Sequence, residues 1–228
     1  MVNNELGTIQ PIHELCQIAH EHNSIFHTDA VQAIGHIPID VKELGIDLLS
    51  ASAHKFNGPR GVGFLYIRKG TNIEPFLNGG TQEKKRRAGT ENTAGIVGMA
   101  TALKNNCRNM NIIADHLNIL EKQLIEGLDA SEIEYFRNGS DPHLPGLLSI
   151  SFPGRDGEAI LHRMDLLGIS ISTGAACDSR ETEISHVLRA IRLNDDLARG
   201  TIRISYGKNN TTEENEDIIA ALKTILHE

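Results

Sequence analysis

The alternation of helical and strand-like segments in the first half of the chain is the feature that most limits its fold. A helical pattern at 11–22 begins with a proline, which suits the first turn of a helix. A strand-like run at 25–28 follows, and a short helical stretch near 41–44 leads to further strand-like runs at 47–50 and 63–67. This order predicts a layered α/β sheet, whose ligands collect beyond the carboxyl ends of the strands.

The second half of the chain combines helices and strands in a different order. The hydrophobic spacing predicts helices at about 92–105, 112–127, 156–167 and 185–191, with a last helix from 212. It predicts strands at 147–152, 169–173 and 201–205. We therefore expect an α+β unit after the long helix at 112–127.

Composition excludes several classes of protein. A chain of 228 residues with 39% hydrophobic and 23% charged residues is typical of a globular protein with a substantial core. Its formal charge of −8 argues against direct binding of nucleic acid. No apolar stretch is long enough to span a membrane, and the start lacks a secretory signal pattern. The three cysteines are too few and too scattered for a disulfide framework, so we expect a cytoplasmic location.

Lys55 lies between the predicted strand at 47–50 and the glycine-rich turn at 58–63. A lysine held at such a junction can lose its proton and attack an aldehyde, as enzymes that use pyridoxal 5′-phosphate (PLP) require. Asp29 offers a carboxylate at the end of the strand at 25–28. Either residue alone would more often be an ordinary surface or turn residue. Together, an acid and a lysine at neighbouring strand ends are the minimum equipment of a PLP site.

Six short motifs occur in a fixed order along the chain. They are Asn-Asn-Glu-Leu-Gly-Thr at 3–8, His-Thr-Asp-Ala-Val-Gln at 27–32, Ser-Ala-Ser-Ala-His-Lys at 50–55, Arg-Ala-Gly-Thr-Glu-Asn at 87–92, Ser-Thr-Gly-Ala-Ala-Cys at 172–177 and Arg-Ile-Ser at 203–205. In this order they closely resemble the NifS/IscS-like cysteine desulfurases of the class V aminotransferase family, which are fold-type I PLP-dependent transferases. The resemblance runs essentially from the first residue to the C-terminus.

The resemblance implies two domains. Residues 1–110 would form the C-terminal part of the PLP-binding large domain, with a mostly parallel sheet. Residues 111–228 would form a small α+β domain that carries the catalytic cysteine loop. It also implies a homodimer.

The resemblance also implies roles for residues around the cofactor. Lys55 would bind the PLP aldehyde covalently and later move protons at the substrate's α-carbon. Asp29 would pair with the pyridine nitrogen and keep it protonated, because a carboxylate stabilises the pyridinium. Gln32 and Asn4 would hydrogen-bond around the phenolic oxygen of the ring, with Asn4 also beside the substrate.

The same resemblance implies roles for five further residues. Ser52 and His54 would bind the cofactor phosphate, and Thr90 would reach the phosphate of the neighbouring subunit. Arg203 would bind the substrate carboxylate, a task suited to a planar donor. Cys177 would attack the sulfur of the bound substrate as a thiolate.

The reaction implied by the resemblance converts L-cysteine to L-alanine and leaves the sulfur on Cys177 as a persulfide. A sulfur-acceptor protein would then take it, either an iron–sulfur scaffold or a tRNA-thiolation enzyme.

Relatives of this kind carry a long N-terminal portion before the motif at 3–8. We therefore expect a truncated or split product, or a fragment of a longer chain. Three alternatives stay open: an inactive fragment that acts as a dimerisation or partner-binding module, a selenocysteine lyase, and a chain complemented by a separate N-terminal polypeptide.

Three remaining patterns favour ordinary structural interpretations. The histidines at 13, 20, 22 and 27 lack recognisable metal-ligand spacing, so no metal site is expected. The basic run at 84–87 is typical of a solvated loop. Cys16 and Cys107 are predicted to be small packing residues on helices.

Overall fold

The computed structural model describes residues 1–174 and 184–227 and divides the chain into two compact units. Unit 1 consists of Met1 and Gln10–Met110, and unit 2 consists of Val2–Ile9 and Asn111–Glu228. We predicted domains at 1–110 and 111–228; in the structure the segment Val2–Ile9 groups with unit 2.

Unit 1 contains three strands and the helices that flank them. Its elements, in chain order, are α1 (Ile12–Glu21), β1 (His27–Asp29), β2 (Leu48–Ser52), a single 3₁₀ turn (Ala53–Phe56), β3 (Gly63–Ile67), α2 (Gln82–Lys85) and the start of α3 (Thr93–Asp129). The later residues of α3 belong to unit 2.

The sheet of unit 1 has the order β1-β2-β3. β1 runs parallel to β2 with Asp29 opposite Ser50, and β2 runs antiparallel to β3 with Ser52 opposite Gly63. A mostly parallel sheet was predicted. Of the two strand pairings in this sheet, β1–β2 is parallel and β2–β3 is antiparallel. Because parallel strands end at the same edge of a sheet, the residues that follow β1 and β2 are neighbours.

Unit 2 is an antiparallel sheet packed against helices. Its further elements are β4 (Phe136–Arg137), β5 (Leu147–Ser151), α4 (Gly157–Leu166), α5 (His186–Ala190), α6 (Asp195–Arg199), β6 (Thr201–Ser205) and α7 (Thr212–His227). The strands lie in the order β4-β5-β6. Leucine and isoleucine side chains from α3, β5, β6 and α7 form its core, with Leu124, Ile150, Ile202 and Leu222 fully buried. The strands at 63–67 and 201–205 have the predicted bounds.

The two helices predicted at 92–105 and 112–127 are one continuous helix, α3. Asparagine is a weak helix former, so the local helix propensity is low at Asn105 and Asn106. In the structure, Asn106 is 5% exposed and its side-chain amide donates to the main-chain oxygen of Phe56 at 3.2 Å. This tertiary contact stabilises the helix where local propensity does not.

Two other predicted elements were wrong. The residues at 169–173 form no strand; Ser172 alone forms a β-bridge, to Arg203. The predicted helix near 41–44 is a hydrogen-bonded turn, which ends at Gly45 with φ of +78°. Such a positive φ favours glycine and stops a right-handed helix.

The two helical cysteines differ in environment. Cys16 is 1% exposed and its thiol donates to the main-chain oxygen of Gly45 at 3.0 Å, so its predicted packing role is confirmed. Cys107 is exposed on α3, and the same prediction was wrong for it. Among the helices of the described part of the chain, none has the length and apolar character needed to cross a bilayer.

Candidate active site

Asp29 is the last residue of β1, and its side chain is exposed. Its Oδ1 accepts a hydrogen bond from the main-chain N–H of Val31 at 2.8 Å, which turns the chain away from the strand end. The other oxygen, Oδ2, makes no hydrogen bond to any residue that the structure describes. Oδ1 of this carboxylate is therefore held in place, and Oδ2 can accept a hydrogen bond from a ligand.

Lys55 lies in the 3₁₀ turn that directly follows β2. Its side chain is exposed, while its main-chain oxygen accepts a hydrogen bond from His36 Nε2 at 2.9 Å. The next residue, Phe56, is fully buried, and Asn57 ends the turn in the left-handed region with φ of +65°. The sequence thus fixes the backbone of Lys55 and leaves its amine accessible.

The chain after Lys55 passes so close to the 3₁₀ turn and to β2 that only glycine fits at two positions. A Cβ atom on Gly58 would lie 2.9 Å from the main-chain oxygen of Ala53, and one on Gly63 would lie 2.4 Å from that of Ala51. Both distances are below van der Waals contact. The glycine-rich turn at 58–63 therefore serves to fold β3 back tightly against the strand that precedes Lys55.

Ser52 and His54 form a polar pair at the end of β2. Ser52 Oγ and His54 Nδ1 lie 2.8 Å apart, with Ser52 half-buried and His54 exposed. A hydroxyl and an imidazole held together in this way are suitable hydrogen-bond donors for an anion.

His27 is a further polar residue at this site, and sequence reasoning assigned it no role there. Its Nε2 lies 2.7 Å from Ser50 Oγ on the adjacent strand. His27 and Asp29 are two residues apart on β1 and both are exposed, so they share one face of the sheet. The spacing of two residues within a predicted strand was the sequence signal that could have placed His27 beside Asp29.

Asn4 and Arg203 come together in unit 2. Arg203, on β6, donates from Nη1 to the main-chain oxygen of Asn4 at 3.0 Å and to that of Gly174 at 3.4 Å. These carbonyls orient the guanidinium, which is half-buried.

The remaining predicted site residues lie elsewhere in the chain. Gln32 is half-buried in the turn after Asp29, and Thr90 is exposed in the loop between α2 and α3. Cys177 lies outside the described residues.

The groups at the sheet edge of unit 1 fit PLP. The cofactor has a ring nitrogen, an aldehyde and a phosphate, and this edge offers a carboxylate with an available oxygen, an accessible primary amine and a serine–histidine pair. Among residues 1–174 and 184–227, no group of three or more histidines, cysteines or acids is placed to hold a metal ion.

Comparison with known proteins identifies the family. Residues 1–218 match the aminotransferase class-V family. The chain is 48% identical to the cysteine desulfurase IscS of Dictyoglomus turgidum over 225 residues, which are 98% of this chain and 57% of that protein. The solved NifS-like protein from Rickettsia africae superimposes with a TM-score of 0.90 at 32% identity, covering 100% of this chain and 61% of the other. A solved structure of SspA in complex with cysteine has a TM-score of 0.72 and 34% identity, covering 92% of this chain and 58% of the other.

The chain therefore spans little more than half the length of the relatives it matches. The resemblance and the fold class predicted from the six motifs are confirmed. The fold is that of the fold-type I PLP enzymes, with part of the large domain represented, and both the class-V aminotransferases and the cysteine desulfurases depend on PLP. The chain belongs to the aminotransferase class-V family, and within it is similar to the cysteine desulfurases.

Proposed function

We propose that this chain forms part of a cysteine desulfurase. The reaction takes L-cysteine and the thiol of Cys177 and yields L-alanine and a persulfide on Cys177. The carbon–sulfur bond of the substrate breaks, a sulfur–sulfur bond forms, and the substrate carbon gains a proton, so that atoms and electrons balance without another reactant.

The observation that carries this proposal is that Asp29 and Lys55 lie at the same edge of the sheet of unit 1. Asp29 ends β1 opposite Ser50 of the parallel strand β2, and Lys55 lies in the turn that directly follows β2. When bound, PLP supplies an electron-withdrawing ring that stabilises negative charge at the substrate's α-carbon. Asp29 would hold the proton on the ring nitrogen, and Lys55 would anchor the cofactor and move a proton at the α-carbon.

The other predicted residues have further roles in this proposal. Ser52 and His54 would hold the phosphate, and Gln32 would bond the phenolic oxygen. Asn4 would also bond around the phenolic oxygen and lie beside the substrate. Arg203 would bind the substrate carboxylate, because guanidinium is the natural partner of a carboxylate. The relative solved in complex with cysteine supports L-cysteine as the substrate class.

Assembly and sulfur delivery belong to the same proposal. We propose a cytoplasmic homodimer in which Thr90 contributes to the phosphate site of the neighbouring subunit. The sulfur on Cys177 would pass to an acceptor protein, either an iron–sulfur scaffold or a tRNA-thiolation enzyme.

The test is the formation of L-alanine from L-cysteine by the purified chain with PLP. Lys55→Ala and Cys177→Ala should each abolish it, whereas Lys69→Ala, at an exposed lysine beyond β3, should leave it unchanged. Loss of activity in the Lys69 variant, or alanine formation without Lys55, would contradict the assignment. Selenide release from selenocysteine that survives Cys177→Ala would instead indicate a lyase.

Because the chain spans 57% of its relative, the assay has two arms. One uses the chain alone, and the other adds a polypeptide corresponding to the part of the relative that the chain does not span. Alanine formation in either arm supports the proposal. Its absence from both arms, in samples that are folded by circular dichroism, rules the proposal out.

A further inference from the structure

Glu5 is a buried carboxylate in unit 2 to which none of the roles above applies. It is 2% exposed, and its Oε2 accepts a hydrogen bond from Ser185 Oγ at 2.6 Å. Its Oε1 is buried and has no hydrogen-bond partner in the described part of the chain. Burying a carboxylate is unfavourable unless it is hydrogen-bonded, so the bond to Ser185 is a specific feature of this position.

The partner of Glu5 is itself held rigidly. Ser185 Oγ accepts the main-chain N–H of Val187 at 3.1 Å and thereby caps the N-terminus of α5. Its hydroxyl proton is directed to Glu5. The carboxylate of Glu5 is therefore anchored to the start of a helix rather than to a loose side chain.

The main chain around Glu5 is also fixed. Asn3 Oδ1 accepts the N–H groups of both Glu5 and Leu6 at 2.9 Å, and the N–H of Gly7 donates to the main-chain oxygen of Asn3 at 3.0 Å. These bonds form a tight turn that presents the carbonyl of Asn4.

Glu5 adjoins both residues that hold Arg203. Asn4 precedes it in the chain, and a Cβ atom built on Gly174 would lie 3.7 Å from Glu5 Oε2. The carbonyls of Asn4 and Gly174 are the acceptors for Nη1 of Arg203. The side chain of Glu5 therefore lies close to Gly174, and its main chain adjoins Asn4, the two residues that supply the acceptors of the guanidinium.

We propose that Glu5 is a positioning residue for Arg203. Through its bond to Ser185 it fixes the carbonyls of Asn4 and Gly174, and these fix the direction in which Arg203 meets a substrate carboxylate. The inference rests on the proposed function, in which Arg203 binds that carboxylate.

The first measurement is the kinetics of L-alanine formation from L-cysteine. Glu5→Ala and Ser185→Ala should each raise KM about tenfold and leave kcat within about twofold, since a net hydrogen bond corresponds to roughly a tenfold change in binding. Ser185→Thr retains the hydroxyl donor and the helix cap, and should restore a KM near that of the wild type.

Two controls separate this role from general destabilisation. Asn194→Ala removes the N-cap of α6 without contact to Glu5, and Glu216→Ala removes an exposed carboxylate from α7. Neither should change KM. A fall in kcat with constant KM in Glu5→Ala, or an equal rise of KM in Asn194→Ala, would overturn the proposal.

A second measurement does not depend on activity. Hydrogen exchange of the Leu6 amide, which bonds to Asn3, should be about tenfold faster in Glu5→Ala and Ser185→Ala than in the wild type. If the wild type formed no alanine, the proposed function would fail, and this exchange measurement alone would decide whether Glu5 braces the turn. Unchanged exchange in both variants would refute the bracing role.

Discussion

His143 provides the most detailed prediction, because its ring lies between two carboxylates in unit 2. Its Nε2 is 2.8 Å from Glu121 Oε2, and its Nδ1 is 2.8 Å from Asp141 Oδ1. Only the protonated ring can donate to both oxygens. Arg137 Nη2 lies 2.8 Å from the same Nε2, and its positive charge works against protonation of the ring. The hydrogen bond to Glu121 raises the pKa of His143 above its usual value, although burial and the nearby Arg137 oppose the rise.

Replacing His143 with glutamine removes the nearer of two charged partners of Glu121 and leaves Arg137 Nη2 at 3.9 Å from the same oxygen. The Glu121 side chain is 8% exposed, so little water is available to replace the lost bond, although the carboxylate keeps the main-chain N–H of Gly146. A hydrogen bond to a charged group is worth about 1.5–3 kcal/mol, and we expect a loss of about 2 kcal/mol in the free energy of unfolding at about pH 6.

The pH dependence has a definite sign. Between the unfolded pKa of about 6.5 and the raised folded pKa, the folded state binds more protons than the unfolded state. The stabilisation by His143 is therefore complete below about pH 6.5 and is lost as the pH rises through the folded pKa. His143→Gln should make the unfolding free energy less dependent on pH, with the largest difference from the wild type on the acidic side.

Urea unfolding followed by circular dichroism at about pH 6 and about pH 8 measures this effect. His162→Gln, at an exposed histidine on α4, is the matched control and should behave as the wild type. A stability difference between wild type and His143→Gln that is equal at both pH values, or larger at the higher one, would refute the argument.

Three further changes have expected outcomes. Asp29→Asn keeps the shape of the side chain but loses its charge, and should weaken retention of PLP during dialysis about tenfold, because a charge-assisted hydrogen bond is lost. Gly63→Ala places a Cβ 2.4 Å from the main-chain oxygen of Ala51 and should lower the unfolding free energy by about 2 kcal/mol, measured by urea titration. Asn106→Ala leaves the main-chain oxygen of Phe56 without its donor. This substitution should lower the free energy of unfolding by about 1–2 kcal/mol in the same assay.

Local sequence signals were sufficient for the regular elements. The β-branched and aromatic run at 63–67 forms β3, and the pattern at 201–205 forms β6, because alternation and turn residues act within a few positions. The same signals predicted a strand at 169–173, where Ser172 forms main-chain hydrogen bonds with Arg203 and Ile169 donates instead to Met164. Whether an extended segment joins a sheet depends on partners distant in sequence, which periodicity does not encode.

The candidate site shows the same division between local and non-local information. The motifs name Asp29 and Lys55, and the parallel pairing of β1 and β2 places them at one edge. Glu5 was visible only as part of a motif, since its role depends on Ser185, 180 positions away in the sequence. Buried contacts at such separations become apparent only in the folded structure.

The central claim is that Lys55 anchors PLP at the edge where β1 and β2 end. The most direct test is to incubate the chain with PLP, reduce it with borohydride, and locate the attached cofactor by peptide mass spectrometry. We expect the cofactor on Lys55, and none on the corresponding peptide of Lys55→Ala. Attachment spread equally over exposed lysines such as Lys69, or no attachment in a sample that is folded by circular dichroism, would contradict the claim.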